Sequence, residues 1–111
     1  MAQSLPDDPE TVHHEDILLR RINPEVHLVE DESGTGRRLS TNAFKNTKGA
    51  NSMSVHVRKF LDQPTDALRG FEDHYLVGFA AGFVRRLTPP QGVTHSPTPS
   101  DISHGDVWGN K

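Results

Sequence analysis

"SMSVHV", residues 52–57, is the stretch that decides how this chain folds. Met53, Val55 and Val57 alternate with Ser52, Ser54 and His56. A period of two marks a β-strand with one face in an apolar core and the other among polar groups. Such a strand cannot stand alone, so its partners must come from the short apolar runs on either side.

Upstream, "EDILLRRI" (15–22) reads as a short strand that ends at Asn23-Pro24, because proline disfavours the α region for the residue before it. "EVHLVE" alternates Val26 and Leu28 with His27 and Val29, which gives a second strand after an Asn-Pro turn. "DESGTG" is a turn cluster, so a hairpin is the better reading of "SGTGRR" than a phosphate loop, which would need a lysine in place and a strong preceding strand. In "RRLSTNAF", Leu39 and Ala43 are one helical turn apart, with Ser40 or Thr41 as N-cap.

Downstream, Leu68, Phe71 and Tyr75 follow helical spacing after Pro64, which predicts the main helix near 65–75, capped by Thr65 or Asp66. "LVGFAA" is a buried strand or the start of a helix. "GFVRRL" is a short helix stopped by Pro89-Pro90. "GVTH" and "HGDVWG" read as strands, and "SPTPSDIS" between them as a Pro/Ser linker. The expected fold is α+β: a small, mostly antiparallel sheet of short strands with one main helix. Residues 1–14 are polar and aperiodic and read as a flexible acidic tail, with a single domain over 15–111.

The chain has 111 residues and no cysteine, which bounds it to one small domain without disulfides or thiolate zinc sites. Its start has neither the basic head nor the apolar run of a secretory signal, and no stretch approaches ~18 apolar residues, so a cytoplasmic protein without a membrane span is expected. The net charge of −3 is unevenly spread. Residues 1–32 hold nine acids against Arg20 and Arg21, residues 33–88 hold nine bases against four acids, and the remainder adds −1. Pairing of the acidic front with the basic middle is the plain reading. A basic face for an anionic partner is the sharper one.

Six bases and no acid lie from Arg37 to Lys59. Phe44 is the one aromatic before Val57 in this stretch, so the stacking platform of a single-strand binder is missing. Seven histidines invite a metal hypothesis, but no H-E-x-x-H and no histidine pair four apart is present, and no metal or cofactor is expected. No G-x-S-x-G elbow marks a nucleophile.

"LLRRINP" (18–24), "LSTNAF" (39–44), "MSV" (53–55) and the late Pro99, His104, Val107 and Gly109 resemble small bacterial proteins of uncharacterised function, a likeness that carries no activity. More faintly, Arg20 or Arg21 followed by Ser40-Thr41 resembles ADP-ribosyltransferase-like folds. That resemblance implies a ribose held by the Ser-Thr strand and a late catalytic acid. No Glu follows Asp73, and only Asp101 and Asp106 remain for that role.

Two functions follow as expectations. The first is a non-enzymatic module that docks a macromolecule, a protein rather than nucleic acid, through Arg37, Arg38, Lys45, Lys48, Ser52, Ser54 and His56. The second is a small enzyme or sensor for a nucleotide or ADP-ribose-like ligand, its pocket built from Arg20, Arg21, Ser40, Thr41 and His104, with His56 alongside. An open polar face distinguishes the first, and convergence in a concavity the second.

Overall fold

The computed structural model of the chain describes residues 5–30, 37–39, 44–46 and 51–109. Strands β1 (Ile17–Ile22), β4 (Ser52–Val57), β5 (Tyr75–Ala80), β6 (Gly92–His95) and β7 (His104–Trp108) form one sheet in the order β5-β1-β4-β7-β6. Every described pairing is antiparallel. A separate two-stranded antiparallel sheet pairs β2 (Leu28–Glu30) with β3 (Arg37–Leu39), and the turn read at 31–36 lies outside the described residues. With the short helix α1 (Pro24–His27) and α2 (Ala81–Arg85), the fold is α+β. Among the described residues no helix is long and apolar enough to cross a membrane.

The alternation in β4 holds as read on its apolar side. Met53, Val55 and Val57 are buried with Leu18, Val93, Val107, Ala81 and Val84 in one core, and Phe44, Phe60 and Phe79 pack at its edge. On the opposite face His56 stands across from Leu19 and His104, and Ser54 across from Asp106. Gly105 lies opposite Val55, where a Cβ would come within 2.8 Å of the Thr94 carbonyl oxygen. A side chain there would force β6 away from β7.

Two local expectations are corrected. The helix expected near 65–75 is a 3-10 turn over Pro64–Leu68, in which the Asp66 carboxylate accepts the Gln63 N–H at 3.1 Å. Gly70 then takes φ +83°, a left-handed conformation that ends any helix, and Tyr75 opens β5. Leu68, Phe71 and Tyr75 share a spacing but not a helix. In "EVHLVE", Pro24–His27 form one helical turn and the strand starts only at Leu28. Asn23 caps that turn, its Oδ1 accepting from the Glu25 N–H at 3.0 Å. The expected turn capped by Ser40 or Thr41 lies outside the described residues.

Residues 5–14, whose composition marks them as a tail, lie against the sheet and α2. Val12 is fully buried in the core. The Asp8 N–H donates to the Val93 carbonyl at 2.8 Å, and the Asp7 carboxylate accepts the Val93 N–H at 2.8 Å. The same Asp7 oxygen pairs with Arg85 at 2.9 Å, whose side chain is only 7% exposed. Loss of Asp7 would leave the buried Val93 N–H and the Arg85 charge without their acceptor. The Asp7→Ala variant is therefore expected to lose about 1–3 kcal/mol in urea denaturation, and Glu10→Ala to be near neutral.

Candidate functional site

The polar side of β1 and β4 opens onto a cleft with two lobes, which share Arg21, His56 and Phe71. The smaller lobe, about 290 Å³, is lined further by Arg20, Asn23, His27, Ser54 and His74. The larger, about 520 Å³, has Phe60, Ile102 and the carboxylates of Asp62, Asp66 and Asp101 on its walls. A third depression, over Phe44, Met53 and Phe79, is almost entirely apolar and lies on the core side of the sheet.

His56 is placed by β4 and held by the turn that precedes β7. Its Nδ1 lies 3.1 Å from Asp101 Oδ2 and 3.1 Å from Ser103 Oγ. Ser103 is fully buried, and its hydroxyl donates to Asp101 Oδ1 at 2.5 Å. The Ser103 N–H donates to the same oxygen at 3.0 Å. The Ser103 proton is thus committed to Asp101, so the neutral imidazole carries its proton on Nδ1 and keeps a lone pair on Nε2. Burial lowers the His56 pKa from its ordinary 6.5. Asp101 pulls the other way, and Arg21 and His104 reinforce the drop. Burial alone would raise Asp101, but the Ser103 hydrogen bonds and the nearby His56 bring it below its ordinary 3.8.

His27 is fixed in the other tautomer. Its Nδ1 accepts the Asn23 backbone N–H at 2.9 Å, so the ring proton sits on Nε2. Burial, then Arg20 and His74, lower its pKa as well. His74 Nδ1 is buried without a hydrogen-bond partner among the described residues.

The arginines differ in what holds them. The β1–β4 ladder consists of the pairs Leu18–Val57 and Leu19–His56. Past its end the Arg20 guanidinium donates to the Ser54 carbonyl at 2.7 Å and to the Lys45 carbonyl at 3.3 Å, a strap across the opening between the strands. Arg21 lies over the Phe71 ring, 3.7 Å from its centroid, and makes one long hydrogen bond of 3.4 Å to the Ala67 carbonyl. No carboxylate among the described residues lies within ion-pair distance of Arg21.

Of the expected site residues, the structure brings Arg20, Arg21, Ser54 and His56 to one cleft. Ser52 is a correction: it is buried, and its hydroxyl donates to Asp106 at 2.9 Å, so it belongs to no open face. His104 stands across from His56 but is tied to the Ser96 carbonyl through Nδ1 at 3.0 Å. Lys45 is exposed. Arg37 and Arg38 lie on the β3 backbone, while Ser40, Thr41 and Lys48 lie outside the described residues. Sequence reading missed Asp101 and Ser103 in their real role. The "DIS" spacing, an aspartate two residues before a serine whose N–H it accepts, is the signal of an Asx turn. Among the described residues no three His, Asp or Glu side chains are grouped to hold a metal ion. Comparison of the chain with protein families, curated proteins and solved structures finds no match.

The direction of the His56 shift gives a pH dependence. A folded pKa below the unfolded 6.5 means that the unfolded chain binds more protons in the window between the two values. The stabilisation is complete above the unfolded value and is lost as pH falls through the folded one. His27 acts in the same sense. Stability is expected to fall between about pH 7 and pH 5, with a shallower fall in His56→Gln, read from urea midpoints at each pH. An unchanged slope in the variant would contradict the buried neutral imidazole.

Proposed function

We propose that this chain binds a small phosphate-bearing ligand in the cleft, with His56 as its proton-accepting group. The observation that carries the reading is Arg21: a guanidinium seated on an aromatic ring, with no carboxylate within ion-pair distance among the described residues, beside an imidazole oriented by Asp101. Structural arginines that are half-buried are normally matched by an acid. Its planar donors suit an oxyanion guest, and among the described residues the smaller of the two lobes it lines contains no carboxylate.

Convergence in a concavity also favours a ligand site over a docking face. Arg20, Arg21 and His56 lie far apart in sequence from His74, yet share one wall. The neutral His56, with its lone pair on Nε2, has the protonation state of a general base near neutral pH. A small enzyme or sensor for a nucleotide- or sugar-phosphate-like ligand is thus the reading we adopt. The stretch 37–48, read from the sequence as a docking loop, lies mostly outside the described residues.

The test is an amide and imidazole NMR titration with inorganic phosphate at low salt. Saturable shifts are expected at Arg21, His27, His56 and His74. Arg21→Gln should weaken binding by about tenfold or more while the thermal midpoint changes little. Absence of saturation at millimolar phosphate, or full binding by the Arg21→Gln protein, would overturn the proposal.

A further inference from the structure

The two lobes differ in charge, and this difference restricts what the guest is. Resting on the ligand reading above, we infer that the cleft takes a sugar monophosphate, with its phosphate in the smaller lobe and its hydroxyl-bearing ring in the larger.

The smaller lobe offers donors. Arg21 is cationic and, in its short contacts, donates only to the Ala67 carbonyl, His27 carries its proton on Nε2, Arg20 adds a charge whose guanidinium is engaged with the Ser54 and Lys45 carbonyls, and among the described residues no carboxylate lies on the wall. An oxyanion of the size of phosphate fits a volume of about 290 Å³ with room for its linking oxygen. Beyond the shared wall of Arg21, His56 and Phe71 the sign reverses. Asp62, Asp66 and Asp101 face the larger lobe, and Arg69 there is already 3.6 Å from Asp66. A second phosphate would meet three carboxylates, so the guest carries its negative charge at one end only. Carboxylates accept from hydroxyl groups, and the apolar side chain of Ile102, with what Arg21 leaves uncovered of Phe71 and His95 leaves uncovered of Phe60, matches the C–H face of a sugar ring. Phe71 and Ile102 are 41% and 65% exposed, large apolar surfaces left at the rim of this lobe. Asp66 and Asp101 are engaged with Gln63, Arg69, His56 and Ser103. Asp62 is exposed and forms no ion pair among the described residues, which makes it the principal acceptor for the ring hydroxyls.

Calorimetric titration of the full chain with inorganic phosphate, ribose, ribose 5-phosphate and ribose 1,5-bisphosphate tests the assignment. Ribose 5-phosphate is expected to bind at least about tenfold more tightly than phosphate, ribose alone to give no measurable heat, and the bisphosphate to bind less tightly than the monophosphate. Asp62→Asn should remove most of the gain of ribose 5-phosphate over phosphate and leave phosphate affinity itself unchanged or slightly raised. If phosphate binds but ribose 5-phosphate gains nothing, the sugar assignment falls and the anion site stands. If the bisphosphate binds best, the charge partition of the two lobes is wrong. If neither phosphate nor ribose 5-phosphate binds, the ligand reading itself falls.

Discussion

Strand β4 has to satisfy two environments at once, and the rest of the molecule follows from how it does so. It has a neighbour on each side, β1 and β7, so it holds the centre of the sheet, and its polar side chains are what it offers to the cleft. Met53, Val55 and Val57 hold the sheet to α2 and to the N-terminal segment through Val12. The opposite face is mixed: Leu19 of β1 is buried there beside His56, whose ring lines the cleft. It carries Ser54 and His56 in a setting where a polar group must find a partner or remain solvated. The Asp101–Ser103 turn supplies that partner to His56, and in doing so chooses its tautomer. A structural requirement of the central strand thereby becomes a chemical property of the cleft.

The same economy appears at the other end of the core. The sheet is small, and α2 covers it with five residues. Residues 5–14 complete the cover. They bring Val12 into the core and use the Asp7 carboxylate to join Arg85 of α2 to the backbone of β6. The acidic charge of the N-terminal stretch is therefore partly structural. Lys59 pairs with Asp16 at 2.7 Å and also donates to the Thr11 carbonyl. The plain reading of the charge asymmetry, acidic front against basic middle, is met at these pairs. Arg21 stands apart from them, which is why its guanidinium, and not the basic stretch as a whole, carries the functional argument.

What was legible in the sequence was what is local. β1, β4, β6 and β7 announce themselves by alternation or by short apolar runs between turn residues, and α2 is a short helix as read, although it ends at Arg85, before Pro89-Pro90 is reached. The segment 65–75 misled because Leu68, Phe71 and Tyr75 obey a helical spacing by coincidence. Pro64, Asp66 and the left-handed Gly70 dictate a turn, and Phe71 is needed as the seat for Arg21. Val26 and Leu28 misled for a related reason: Asn23 and Pro24 are strong enough to start a helical turn before the strand can begin. Arg20, Arg21 and His56 were recognisable as site candidates from residue type alone. Their companions His27, His74 and Phe71 were not, because only the β5-β1-β4 order brings them to one wall.

The Asp101–Ser103 turn shows most clearly what a linear reading loses. "SPTPSDIS" has the composition of a linker, and composition is a statement about the unfolded chain. In the fold, a Thr98–Asp101 bridge and the Asx turn at Asp101 make it compact. The Val57 N–H donates to the Ser103 carbonyl at 2.7 Å and ties it to β4. Three hydrogen bonds or ion contacts then converge on one carboxylate, two from Ser103 and one from His56. That number explains why Asp101 stays ionised despite burial. With Asp101 ionised and its hydrogen bonds to Ser103 made, the His56 ring is held in one orientation, and its charge is set by the competition between burial, which favours the neutral ring, and the Asp101 carboxylate, which favours the imidazolium.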